Sequence, residues 1–257
     1  MTTSQNALLA DRIALITGAG RGIGKAIAEA YAAAGAVVVV SDINEGSAKE
    51  VADSLPRAES AVCDVRDEAS VAALVKGVVE RHGRLDICVA NAGVGKAQPL
   101  AETSLADWRA ITSVNLDGVF LTVREAALAM AATGGGSIIG MASITALAGS
   151  PLIGHYAAAK AGVVNLCKTA AVEFRPYKVR VNSILPTFIG TELVNENIPA
   201  FEAALGTSFD SIITAKQGRM GEVEDVAPLA VFLASDLSGF CSGSTYVVDN
   251  GWTASLL

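Results

Sequence analysis

Histidine and cysteine are scarce: the 257 residues include two of the former and four of the latter. The cysteines, at 63, 88, 167 and 241, make no C-x-x-C pair and no dense framework, so the chain is read as cytoplasmic, with reduced thiols. Two histidines without clustered thiolates argue against a zinc centre, and no metal is expected. Positive charge is also in the minority. Nineteen Lys and Arg against 26 Asp and Glu leave a net charge of −7, the wrong sign for a nucleic-acid surface. Long apolar runs are missing although 51% of the residues are hydrophobic. A membrane-spanning helix needs about 20 nearly continuous apolar residues, and the densest stretches, 36–40 and 126–132, stop far short of that. No membrane partner is expected. The opening MTTSQNALLADR has no basic n-region and no long apolar h-region, and is not read as a secretory signal.

What the chain does have is alternation. Strand-like segments at 12–17, 36–41, 58–63, 85–90, 137–142, 178–185 and 245–248 are separated by helix-like ones at 22–34, 46–55, 67–82, 104–132, 152–174 and 222–234. Within 67–82, Val71, Leu74, Val75, Val78 and Val79 recur at helical spacing on one face. This order predicts an α/β fold, a Rossmann-like doubly wound parallel sheet of about seven strands with helices on both faces, in one domain spanning 1–257. Ligands of such sheets bind beyond the carboxyl ends of the strands, so chemistry-bearing residues are expected just after strands. Residues 186–221 break the rhythm, with two prolines, scattered Phe188, Phe201 and Phe209, and no clear period. They are read as an irregular insertion that forms a lid over the substrate.

Between the first strand and first helix lies Thr17-Gly18-Ala19-Gly20-Arg21-Gly22-Ile23-Gly24, with the spacing G-x-x-x-G-x-G through Gly18, Gly22 and Gly24. Glycines there permit a tight turn and let backbone N–H groups and the helix N-terminus approach a pyrophosphate. Asp42 follows the second strand, where a carboxylate bonds the ribose hydroxyls of NAD and repels a 2′-phosphate; the alternative is an N-cap of the next helix. Arg21, a base beside the phosphate turn, pulls toward NADP. Asp42 is the more direct contact, so NAD is the cofactor expected.

Tyr156 and Lys160 lie four residues apart in HYAAAKAGVV and so share a helix face. A free phenol titrates near 10, and a neighbouring cation stabilises phenolate and lowers that value. Tyr156 is thus a candidate general acid for ketone reduction and base for alcohol oxidation. Ser143 ends a predicted strand at the ligand edge, where its hydroxyl could polarise a carbonyl or simply cap a turn. His155 is read as pocket lining or a helix-start residue, and His82 as a helix C-terminal cap or solvent-facing group.

Taken together, TGAGRGIG at 17–24, Asp42, Asp64-Val65, Asn91-Ala92-Gly93, Asn115, Ser143, Tyr156 and Lys160 resemble the short-chain dehydrogenase/reductase family over almost the whole chain. The resemblance implies a catalytic set of Asn115, Ser143, Tyr156 and Lys160. It implies that Asp64 and Val65 contact adenine and that Asn91, Ala92 and Gly93 support the sheet and line the cofactor. It further implies that Asn115 helps hold a relay water, and that Lys160 bonds the nicotinamide ribose. Ile189 and Thr191 match positions at the carboxamide end, and Ile23, Ile43, Pro186 and Thr187 complete the cofactor contacts. Two departures stand out: Thr187 and Asn250 occupy positions where the family commonly has glycine, and Asn250 is placed away from the chemistry. Family members are commonly homotetramers.

The expected function is NAD(H)-dependent interconversion of a secondary alcohol and a ketone, on a small, mostly uncharged substrate. Ile144, Leu147, Phe188, Leu193 and Phe201 are the candidate walls of its apolar pocket. The alternatives are an NADPH-dependent 3-oxoacyl-(carrier protein) reductase and a catalytically silent dinucleotide-binding module. A serine hydrolase is disfavoured because no G-x-S-x-G elbow occurs.

Overall fold

The computed structural model describes residues 8–254; most of the segment read for a secretory signal lies outside the described residues. Seven parallel strands form one sheet in the order β3-β2-β1-β4-β5-β6-β7. They are β1 (Ile13–Thr17), β2 (Val37–Asp42), β3 (Ala58–Val62), β4 (Ile87–Ala90), β5 (Gly136–Met141), β6 (Val179–Pro186) and β7 (Thr245–Val248). Side chains alternate between two cores, as the strand period of two demands. Ile13, Leu15, Val39 and Cys88 enter one core, while Ala14, Ile16, Val38 and Ile87 enter the other. Helices α1 (Gly22–Ala33), α2 (Glu45–Ser54) and α10 (Val223–Ala234) cover the second face; α3 (Glu68–His82), α5 (Gly118–Thr133) and α6 (Gly154–Glu173) cover the first. Burial on both faces explains the continuous apolar runs. The sheet reverses its winding between β1 and β4, so the crevice beyond their carboxyl ends is the switch point. Among the described residues no helix is long and apolar enough to cross a membrane.

Two predictions are corrected. The single helix at 104–132 is α4 (Leu105–Thr112), one π-turn (Ser113–Asp117) and α5. Asn115 Nδ2 donates to the carbonyls of Ile111 (2.9 Å) and Val94 (2.8 Å), so the side chain satisfies an acceptor within the wider turn. Beyond the turn, Val119 and Val123 of α5 are buried, while Phe120 and Leu128 are exposed. The segment 186–221, read as irregular, carries three short helices: α7 (Glu192–Asn195), α8 (Ile198–Leu205) and α9 (Phe209–Gln217). Each is too short for a hydrophobic period to register. Local signals make them: Pro199 in the first turn of α8, Gly206 at φ +66° ending it, and Ser208 Oγ accepting from Ser211 N (3.2 Å) to start α9.

Candidate active site

Every residue that the sequence proposed for the cofactor lines one cleft of about 370 Å³ at the carboxyl ends of the strands, and the four proposed catalytic residues line it too. The turn after β1 is built for close approach. Gly18 and Gly22 adopt φ of +62° and +56°, in the left-handed region that favours glycine. A Cβ at Gly18 would stand 2.7 Å from Ala92 Cα, and one at Gly24 would collide with the Gly18 carbonyl and the Asn91 amide. Asn91 stitches this turn to the loop after β4: Nδ2 donates to the carbonyls of Thr17 (2.9 Å) and Gly18 (3.0 Å). The N–H groups of Asn91 and Ala92 both donate to Thr17 Oγ1 (3.1 and 3.2 Å). The α1 N-terminus behind such a turn presents free N–H groups and a positive dipole end. These residues therefore fit the pyrophosphate of a dinucleotide.

Asp42 does not cap α2, a role Asn44 takes by accepting from Ser47 N (3.0 Å). Its carboxylate accepts from Gly20 N and Asn44 N, both at 3.0 Å, which fixes it at the rim of the cleft with lone pairs to spare for hydroxyl donors. Arg21 turns to α7, where its Nη1 pairs with Glu192 Oε2 at 2.8 Å. Arg66, which the sequence reading missed, also lines the cleft and grips Asp64 through its Nε and Nη2. That pairing holds the Asp64 carboxyl below the usual carboxylate range.

The chemistry-bearing groups converge deeper in. Ser143, just past β5, accepts from Thr145 N (3.2 Å), so it caps a short turn and keeps its own hydroxyl hydrogen available. Tyr156 and Lys160 stand one turn apart on α6, with Lys160 Nζ 5.4 Å from the phenol ring centre and donating to Met141 O (2.8 Å). The sequence-based expectation that Lys160 draws the phenol pKa down is not what this site gives. Burial pushes Tyr156 up to about 12, with a hydrogen bond from Ser143 opposing it, and burial pushes Lys160 down to about 8. Beside Gly93 a Cβ would stand 2.8 Å from Asn115 Oδ1 and 3.6 Å from Lys160 Nζ, so both polar atoms border one small space. Asn115 Oδ1 is buried there without a hydrogen-bond partner, an acceptor open to a water or ligand donor.

His155 lines neither the cleft nor the smaller cavity beside it. It begins α6, buried, with Nδ1 accepting from Tyr156 N (2.8 Å), and burial lowers its pKa. His82 sits in the last turn of α3 with Nε2 3.1 Å from Glu59 Oε1.

A second cavity of about 80 Å³ opens off the cleft, and Ser143, Tyr156 and Thr187 belong to both. Ile144, Phe188, Leu193 and Phe201 wall it as expected from the sequence; Leu147 is 53% exposed and is not among its walls. Ile153 and Val194 are walls that the sequence reading missed, since nothing in their spacing marks them. The ammonium at this cavity, Lys96, is paired with Asp107 Oδ1 at 3.0 Å, so the charge is neutralised and the lining is otherwise mainly apolar.

A family model described as enoyl-(acyl carrier protein) reductase matches residues 18–253. The cis-4-hydroxycyclohexanecarboxylate dehydrogenase of Sinomonas cyclohexanicum is 39% identical over 251 residues, covering 95% of this chain and 98% of its own. The cyclohexanol dehydrogenase of Acinetobacter sp. strain SE19 is 39% identical over 249 residues, covering 95% and 96%. Among solved structures, a gluconate 5-dehydrogenase from Burkholderia cenocepacia, in complex with NADP and tartrate, superposes with a TM-score of 0.89 at 36% identity, covering 98% of this chain and 99% of the other.

Proposed function

The chain belongs to the short-chain dehydrogenase/reductase family, and from that premise we propose that it interconverts a small, mostly uncharged secondary alcohol and its ketone, with NAD(H) as cofactor. The observation that carries this reading is that Ser143 and Tyr156 line both the dinucleotide cleft and the apolar side cavity. An alcohol seated in that cavity meets two hydroxyl groups at the boundary with the cofactor. The relatives named for cyclohexanol and a hydroxycyclohexane acid make alicyclic alcohols the first candidates, and the pairing of Lys96 with Asp107 favours the neutral ones.

A nicotinamide dinucleotide in the cleft supplies the hydride acceptor for oxidation and the donor for reduction. Tyr156 takes the hydroxyl proton from the alcohol and returns it to the ketone oxygen. Ser143 donates to that oxygen and holds it beside the phenol. Lys160, drawn down to about 8 by burial, still carries charge at neutral pH, and from 5.4 Å that charge only opposes the burial that holds Tyr156 protonated. Asn115 Oδ1 offers an acceptor beside Lys160 through which a water can exchange the proton with solvent. Asp42 favours NAD by repelling a 2′-phosphate, and Arg21 is held toward Glu192.

The same reading takes 186–221 as the substrate lid of a single-domain, cytoplasmic enzyme. A homotetramer would cover the apolar groups left in solvent, such as Phe120, Leu128, Val172 and the fully exposed Phe240. Light scattering is expected to give four times the chain mass.

Absorbance at 340 nm with a panel of secondary alcohols, offering NAD and NADP in parallel, tests the function. NAD-dependent turnover that falls by about 10³-fold or more in Tyr156→Phe is the expected result. Preference for NADPH and a 3-oxoacyl thioester would replace this reading with the acyl reductase. Tight NAD binding with no turnover of any alcohol would leave a silent binding module.

A further inference from the structure

The two ends of the lid segment meet on one buried amide. Gln217, the last residue of α9, is 2% exposed, and all of its side-chain polar atoms are engaged. Its Oε1 accepts from Thr187 Oγ1 (2.7 Å), and its Nε2 donates to the carbonyls of Phe188 (3.0 Å) and Arg219 (2.7 Å). Its backbone carbonyl accepts from Asn250 Nδ2 (2.7 Å). Next to it, Ile189 and Gly221 form a parallel bridge, with Gly190 N donating to Gly221 O (2.8 Å) and Gly221 N to Phe188 O (3.1 Å). The neck of the lid is thus fastened by backbone on one side and by a single side chain on the other.

The residues so fastened face the site. Thr187 lines both the cofactor cleft and the side cavity, and Phe188 lines the cavity. The Phe188 ring packs edge-on against Phe201 and Phe209 and tilted against Trp252, with centroids 5.0 to 6.0 Å apart. Thr187 and Asn250, the two departures from the family pattern, therefore converge on one residue, Thr187 on its side-chain amide and Asn250 on its backbone carbonyl. Asn250 adopts φ +47°, in the left-handed region that Asn tolerates better than most residues, and still uses its side chain. Asn250 lines neither the cleft nor the side cavity, as expected, and reaches Thr187 only through Gln217.

We propose that Gln217 is a positioning residue that fixes Thr187 and Phe188 at the junction of the cofactor cleft and the side cavity, with Thr187 Oγ1 and Asn250 Nδ2 as the contacts that hold it. The proposal rests on the reading of that cavity as the substrate site. Its physical basis is the cost of leaving a buried acceptor unpaired. Without the Thr187 hydroxyl, Gln217 Oε1 has no partner, and the amide regains a partner only by turning away from the Phe188 and Arg219 carbonyls. The wall that Phe188 contributes then shifts, and the cavity discriminates less well between slim and bulky alcohols.

The test is steady-state kinetics on Thr187→Val, Thr187→Ser, Asn250→Gly and the Thr187→Val/Asn250→Gly double variant. Each is measured at saturating cofactor with 2-butanol and with cyclohexanol, alongside a thermal midpoint. Thr187→Val is expected to change the ratio of kcat/KM for the two alcohols by about fivefold or more, chiefly through KM. Thr187→Ser, which keeps the hydroxyl, recovers most of the discrimination. Asn250→Gly moves it in the same direction by less, and the double variant goes little beyond Thr187→Val, because both act through the placement of one residue, Gln217. A lowered midpoint with KM and discrimination unchanged makes the network merely structural and overturns the proposal. So does a Thr187→Ser variant as impaired as Thr187→Val, or a double variant whose effects simply add. A wild-type protein that turns over no secondary alcohol while binding cofactor overturns the functional reading and this proposal with it; unchanged discrimination in active variants overturns the proposal alone.

Discussion

The glycine turn and segment 186–221 both line the cleft and differ in how closely backbone packs on backbone. On the turn side, Gly18, Gly24, Asn91 and Ala92 approach so closely that a single added carbon has no room. In segment 186–221, apart from the backbone bridge of Ile189 and Gly221, the fastenings are side chains reaching across long sequence intervals: Arg21 to Glu192, Asn197 Oδ1 accepting from Ala97 N (2.6 Å), and Thr187 to Gln217. A surface fixed by backbone contact keeps one shape and suits the part of the ligand that is the same in every reaction cycle. One fixed by side-chain contacts can be retuned residue by residue, and suits the part that differs between enzymes.

Four substitutions can break or sharpen that contrast. Gly24→Ala puts a Cβ into the Gly18 carbonyl and is expected to weaken NAD binding on the order of a hundredfold by calorimetry. Retained affinity would show that the turn is softer than its contacts imply. Ser143→Ala, where the cleft meets the side cavity, is expected to lower kcat by about tenfold or more. The Ser143 hydrogen bond lowers the Tyr156 pKa, so its loss raises that pKa further. The rate of alcohol oxidation, which climbs as the phenol loses its proton, is then displaced to higher pH; a profile unmoved along the pH axis would deny Ser143 that role. On the lid side, Glu192→Gln frees Arg21 and removes a negative charge from the cleft. The ratio of kcat/KM for NADP to that for NAD is expected to rise by roughly fivefold at low salt, and by less at 0.5 M salt. Smallest is Gly206→Ala, at a positive-φ glycine of the lid with open space around it. It is expected to cost about 1 kcal/mol in denaturant unfolding and to leave NAD affinity at the wild-type value. A loss of affinity there would tie the lid to the cofactor more tightly than its contacts do.

The same contrast explains what was legible in the sequence. The seven strands and the glycine turn could be read because their causes are local and periodic: apolar runs of strand length, then glycines at fixed spacing. Asp42, Ser143 and the Tyr156–Lys160 pair could be read because each sits just past a strand or one helical turn from its partner. The helices of 186–221 could not, since α7 has four residues and no glycine stop, and α8 has eight with a single glycine to end it. Gln217 had no local signal at all; its partners are Thr187, 30 residues earlier, and Asn250, 33 later. The Tyr156 pKa was read in the wrong direction because spacing reports the nearby cation and not the burial of both groups.

The π-turn at Asn115 has a consequence for insertion and deletion. It holds one residue more than an α-helical turn would, and each α-helical residue advances the chain by about 100°. The extra residue sets the rotational phase of everything after it. Val119 and Val123 face the core, and Phe120 and Leu128 face outward, because of an offset introduced beside the site. Deleting Ser113 to restore a regular helix would roll α5 by about 100° and carry Phe120 off the surface. Length changes at Asn115 thus cannot be confined to the site, and the outer face of α5 is bound to it by helical phase.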